Sequence, residues 1–124
     1  MRRKRVFSLI TLLCFALAVV AAGKRFTLVI DAGHGGGDNG APGAYSNEKD
    51  LTLKYALAFG RYVERNCPDV KVIYTRTTDI FVTLAGRADI ANRNKADLFL
   101  SFHINAITGS KSARGFQSWT LGRG

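Results

Sequence analysis

Two histidines, the only ones among 124 residues, each stand just past a run of strand-forming residues. His34 follows Thr27-Leu28-Val29-Ile30-Asp31-Ala32-Gly33, and His103 follows Leu98-Phe99-Leu100-Ser101-Phe102. Between them a helical pattern opens at Glu48. Neutral imidazole and carboxylate are good zinc ligands, and three protein ligands leave a further position open for water. If the two strands run parallel in one sheet, both imidazoles and the carboxylate emerge at the same sheet edge, and such a trio points to metal-assisted hydrolysis. Each residue also has a plainer reading. A lone histidine is more often a surface or satisfied residue, and an acidic first-turn residue serves the helix dipole. The shared placement beside a glycine-rich loop favours the site.

The elements that must position these groups are readable in order. Arg25 to Ile30 is a continuous apolar run without alternation, which suits a central strand buried on both faces. Residues 31 to 47 carry Gly33, Gly35, Gly36, Gly37, Gly40 and Gly43 with Pro42, a loop shaped for close backbone approach. From Glu48 to about Asn66 the pattern is helical, with Leu51, Tyr55, Ala58 and Tyr62 as the expected buried stripe. Ser46 or Asn47 can cap it, Glu48 and Asp50 meet the positive end of its dipole, and Pro68 stops it. Val70 to Tyr74 is a second strand. Thr83 is placed to cap a second helix, Leu84 to Lys95, with Leu84, Ala88 and Ala91 along one side. Asp97 to Phe102 is a third strand, Gly109 to Lys111 a loop, and Gly115 to Leu121 a fourth strand. The order β-α-β-α-β-loop-β predicts an α/β fold with a mainly parallel sheet, flanking helices and right-handed crossovers. Ligands of such sheets bind outside the carboxyl ends of the strands, where His34, Glu48 and His103 are expected to meet.

The start of the chain reads differently. Arg2-Arg3-Lys4-Arg5 is a basic n-region, Val6 to Ala22 is almost wholly apolar, and small residues, Ala21-Ala22-Gly23, close the run. This is the pattern of a cleaved signal peptide over residues 1–23, ahead of an uncleaved membrane anchor. The expected location is therefore exported, periplasmic or extracellular, with the membrane engaged only through the signal. Four of the 18 basic residues lie in that segment; without them 14 basic groups face 9 acidic ones, a net charge of +5 rather than +9. That charge is scattered, with no basic patch or recognition motif, so nucleic acid is not an expected partner. A mild positive charge is compatible with an anionic polymer. Only Cys67 remains after cleavage, so no intramolecular disulfide is expected.

Two phosphate-binding readings fail. Gly35-Gly36-Gly37-Asp38-Asn39-Gly40 is a literal G-x-G-x-x-G, but Pro42 and further residues intervene before the helix. No acidic residue ends the second strand, where Tyr74-Thr75-Arg76 stands. A Walker A loop fails for want of Gly-Lys-Ser/Thr.

The motif set resembles the zinc-dependent N-acetylmuramoyl-L-alanine amidases of bacterial cell walls. The matching segments are Val29-Ile30-Asp31-Ala32-Gly33-His34-Gly35-Gly36, Asn47-Glu48-Lys49-Asp50 and Tyr74-Thr75-Arg76-Thr77-Thr78-Asp79. Leu84-Ala85-Gly86-Arg87-Ala88-Asp89-Ile90-Ala91-Asn92 and Ala96-Asp97-Leu98-Phe99-Leu100-Ser101-Phe102-His103-Ile104-Asn105-Ala106 follow in the family's order. The resemblance implies that His34, Glu48 and His103 bind one Zn2+ ion. It also implies hydrolysis of the amide joining N-acetylmuramic acid to the L-alanine of the peptidoglycan stem peptide. A carboxylate would act as base toward water and then as proton donor to the leaving amine.

In the family that catalytic glutamate lies on a late strand, which places it beyond Gly124. Residues 24–124 therefore read as the N-terminal portion of an amidase catalytic domain. Asp38 lies on the metal-side loop, where a loop-structuring role is the stronger expectation, and Glu64 sits at the far end of its helix. The rival reading is a non-catalytic zinc-containing module that binds peptidoglycan without cutting it. A zinc peptidase or deacetylase ranks lower, because it would need different ligand spacing. The sequence names no regulatory partner.

Overall fold

A computed structural model describes residues 23–106, 115 and 117–120. Three strands and two helices alternate: β1 (Phe26–Ala32), α1 (Glu48–Asn66), β2 (Val70–Tyr74), α2 (Leu84–Arg93) and β3 (Leu98–Phe102). The strands form one parallel sheet in the order β2-β1-β3. The α/β class and the parallel pairing expected from the sequence are both present. The segment read as an export signal and the loop at 109–111 lie outside the described residues. Of the expected fourth strand, residues 115 and 117–120 are described, and they belong to no strand. Among the described residues no helix is long and apolar enough to cross a membrane.

β1 is central because its side chains are apolar on both faces, and every residue from Thr27 to Ala32 is buried. Leu28, Ile30 and Ala32 project to the α1 side, where they pack with Ala56 and Val63. Leu53, Val70, Val72, Tyr74, Leu100 and Phe102 close over this core. A side chain of leucine or isoleucine size buried this fully contributes roughly 1.5–3 kcal/mol. Register then sets the site. Ala32 stands opposite Phe102, and the Gly33 N–H donates to the Phe102 carbonyl at 3.0 Å. His34 and His103 thus leave neighbouring strands within a step of one another.

The buried stripe of α1 is not the expected one. Thr52, Ala56, Gly60 and Val63 face the sheet, whereas Tyr55 is 49% exposed and Tyr62 62%. The helix is turned by about one residue because the small side chains of Ala56 and Gly60 permit close approach, and the ring of Tyr74 fills the space beside Gly60. Asn47 is the N-cap, with its N–H donating to Asp50 Oδ2 at 3.2 Å. Thr83 caps α2 as expected, its side chain accepting from the Gly86 N–H at 3.0 Å. The expected apolar side of α2 is a second correction. Leu84 and Ala88 are exposed, and the one buried residue of α2 is Arg87. A charged side chain tolerates that position because each of its three nitrogens has a partner there.

Candidate metal centre

The structure brings His34, Glu48 and His103 together, with one ligand atom of each within 4.8 Å of the others. His34 sits at the start of the glycine loop with φ of 61°, a left-handed conformation that turns its ring back toward α1. Glu48 is the first residue of α1, and its side chain is 4% exposed. His103 follows β3 directly. The two imidazoles meet edge to face, with ring centroids 4.9 Å apart. His34 Nε2 lies 3.3 Å from Glu48 Oε2, and His103 Nδ1 lies 3.2 Å from Glu48 Oε1.

Glu48 is fixed by the backbone around it. Its Oε2 accepts from the Ala41 N–H at 2.9 Å, and its Oε1 accepts from Ile104 N–H at 2.8 Å and Asn105 N–H at 3.2 Å. Burial alone pushes this carboxyl up. The three backbone N–H groups and the nearby His34 outweigh that effect and hold it at about 2, below its ordinary 4.5. Asp38, expected from the sequence to structure the loop, also bonds to a member of the trio. Its Oδ2 lies 2.9 Å from His34 Nδ1, and that hydrogen bond, reinforced by the Gly40 N–H, holds the carboxyl below its usual range. Glu64 lies on the last turns of α1, at the opposite end from Glu48, as expected.

These contacts test whether a cation suits the trio. An ionised Asp38 only accepts, so His34 directs an Nδ1–H at it, and Nε2 faces Glu48 either as a second N–H of a charged ring or as a lone pair that can take a metal ion. A lone pair and a carboxylate oxygen at 3.3 Å repel unless a proton or a metal ion lies between them. The carboxylate–histidine–metal arrangement resolves this contact, with Asp38 as the outer partner that fixes the tautomer. The backbone agrees: a Cβ on Gly40 would lie 2.6 Å from the His34 ring and 2.8 Å from Glu48 Cβ. The loop is cut away where the ligands need room. The donor set of two imidazoles and one carboxylate fits zinc.

A buried polar network supports the loop, with Arg87 reaching it from α2 and Arg76 from beside α1. Asp31 pairs with Arg87 at 2.6 Å, and Arg76 Nε and Nη2 donate to the Ala32 and Gly33 carbonyls, each at 2.9 Å. Among the described residues no buried side-chain polar atom lacks a partner. In the sequence these residues stand within the motif segments, with no role expected of them. The available signal was an aspartate late in an apolar strand, with Arg76 and Arg87 between the second and third strands. Beside the trio a cleft of about 680 Å³ runs under α2, lined by Phe81, Val82, Leu84, Ala91 and Phe99 and reaching His34 and His103.

A parallel α/β sheet with a metal-type His–Glu–His cluster at its carboxyl edge is the class of scaffold these observations define. Residues 28–123 match the family described as N-acetylmuramoyl-L-alanine amidase, and the chain belongs to that family. It is 41% identical over 92 residues to the sporulation-specific N-acetylmuramoyl-L-alanine amidase of Bacillus subtilis strain 168, covering 74% of this chain and 34% of that protein. It is 42% identical over 86 residues to N-acetylmuramoyl-L-alanine amidase AmiC of Escherichia coli O6:H1, covering 68% and 20%. Among solved structures, the N-acetylmuramoyl-L-alanine amidase of Clostridium difficile 630 superposes with a TM-score of 0.69 at 37% identity, covering 75% of this chain and 50% of that one. The catalytic domain of CwlV from Bacillus (Paenibacillus) polymyxa gives 0.67 at 38%, covering 71% and 49%. The chain thus spans about a third and a fifth of the length of these two sequence relatives and about half of these two solved chains.

Proposed function

We propose that this chain forms the zinc-binding portion of an exported N-acetylmuramoyl-L-alanine amidase. Its reaction is hydrolysis of the amide between N-acetylmuramic acid and the L-alanine of peptidoglycan. The observation that carries the reading is the Nε2 of His34 facing Glu48 Oε2 at 3.3 Å, while Asp38 occupies Nδ1. Family membership supports the substrate class. Export rests on the basic, apolar and small-residue pattern of residues 1–23.

Zinc bound by His34, Glu48 and His103 would supply Lewis acidity, lowering the pKa of water and polarising the scissile carbonyl. The chain's own residues do the rest of what is visible. Glu48 stays ionised and immobile because three backbone N–H groups hold it. Asp38 keeps the His34 proton on Nδ1 and so orients the ring. A cleft of about 680 Å³ adjoins the trio and reaches both histidines. The base toward water in this reaction would be a carboxylate other than Glu48, which the metal would engage.

The test uses the full-length protein. It is expected to hold about one zinc per chain, to release peptides from purified cell walls by cutting at muramic acid, and to lose both properties in His34→Ala and His103→Ala. Zinc binding with no release of such peptides would favour the non-catalytic binding module. Absence of zinc binding would remove the metal reading.

A further inference from the structure

We infer that Arg87, acting through its buried pair with Asp31, is a positioning residue that sets where the two histidines stand relative to each other. The inference rests on the metal reading of the trio.

The geometry joins both strand ends through one guanidinium. Arg87 Nη1 donates to Asp31 Oδ1 at 2.6 Å and to the Ala32 carbonyl at 2.7 Å. Its Nη2 donates to the carbonyl of His34 itself at 2.8 Å, and its Nε to the Val82 carbonyl at 3.0 Å. On the other side, Asp31 Oδ2 accepts from Ser101 Oγ at 2.6 Å, two residues before His103 on β3. One side chain therefore holds the His34 peptide unit, while its carboxylate partner is tied to the strand that delivers His103.

Two physical points separate positioning from simple support of the fold. His34 adopts φ of 61°, a left-handed conformation that a non-glycine residue keeps only when its surroundings enforce it. The Arg87 bond to the His34 carbonyl is such an enforcement, applied at the ligand residue. Second, a buried ion pair adds little net stability compared with apolar packing of the same volume, whereas its directional bonds specify an arrangement. The planar fork of arginine reaches Asp31, Ala32 and His34 together; the single ammonium of lysine cannot match those directions.

The test compares Arg87→Lys and the milder Ser101→Ala with the parent in the full-length protein. Zn2+ affinity is measured by competition with a chromophoric chelator. The d–d absorption of the Co2+-loaded protein reports ligand geometry, and circular dichroism of the metal-free protein reports folding. Arg87→Lys is expected to weaken zinc binding about 10- to 100-fold and to alter the Co2+ spectrum while the metal-free fold persists. Ser101→Ala is expected to move both metal readouts the same way by a smaller factor. Parent-like affinity and spectrum in both folded variants would overturn the inference. If Arg87→Lys does not fold, Ser101→Ala decides: a changed spectrum supports positioning, and an unchanged one overturns it. A parent protein that binds no zinc would instead overturn the metal reading on which this inference rests.

Discussion

Gly33 lies so close against the imidazole of His103 that a methyl group there would overlap the ring, within 2.6 Å of Nε2 and 2.8 Å of Nδ1. The glycine that follows β1 thereby shapes the position of the imidazole delivered by β3. Gly33→Ala keeps an allowed backbone, so its effect is steric. The ring is expected to swing outward, since the His103 side chain is 43% exposed. An overlap of this kind costs about 1–3 kcal/mol, which read as lost affinity is roughly 5- to 150-fold. Chelator competition measures it, and metal-free melting is expected to change little.

Asp38 is expected to act on the metal through His34. Asp38→Ala removes the acceptor at 2.9 Å from Nδ1, so the ring is no longer held in the tautomer that presents Nε2. A zinc affinity lower by about 10-fold or more is expected. Asp38→Asn keeps an acceptor oxygen and is expected to retain most of the affinity. Equal losses in the two variants would show that the negative charge, and not the hydrogen bond, is what matters.

The Glu48 carboxyl gives a pH prediction with a definite sign. Its folded-state value of about 2 lies below the ordinary 4.5, so the ionised form stabilises the fold. That contribution is fully present above about 4.5 and is lost as pH falls from there through about 2. Its size is about 3 kcal/mol for the metal-free protein. Urea unfolding of metal-free parent and Glu48→Gln should differ most at pH 6 and converge as pH approaches 2. A gap that is the same at pH 6 and pH 3 would contradict this account.

Much of the fold was legible because the information is local. Continuous apolar runs marked β1 and β3, and a histidine at the end of each marked one sheet edge. The buried stripe of α1 departs from the expected one because tyrosine is apolar in body. Tyr55 and Tyr62 recur at core spacing but project to solvent, and Ala56 and Gly60 make the close approach. The supporting network was illegible for a different reason. Asp31 and Arg87 are 56 residues apart, and Arg76 is 44 from the carbonyl it holds at Ala32. Burial of such charges follows from the tertiary arrangement, which no periodicity records.

Thr52 separates stability from metal binding in that network. It is wholly buried, and its Oγ1 donates to the Gly33 carbonyl at 2.7 Å. Arg76 Nη2 reaches the same carbonyl at 2.9 Å, so the loop keeps one of its two anchors when the hydroxyl is removed. Thr52→Val preserves shape and leaves no acceptor stranded. It is therefore expected to lower stability by about 1 kcal/mol while leaving zinc affinity within about threefold of the parent. Urea unfolding and chelator competition on the same preparation measure both. A large loss of affinity would mean that the hydroxyl, rather than the arginine, sets the Gly33 peptide and with it the approach of His34.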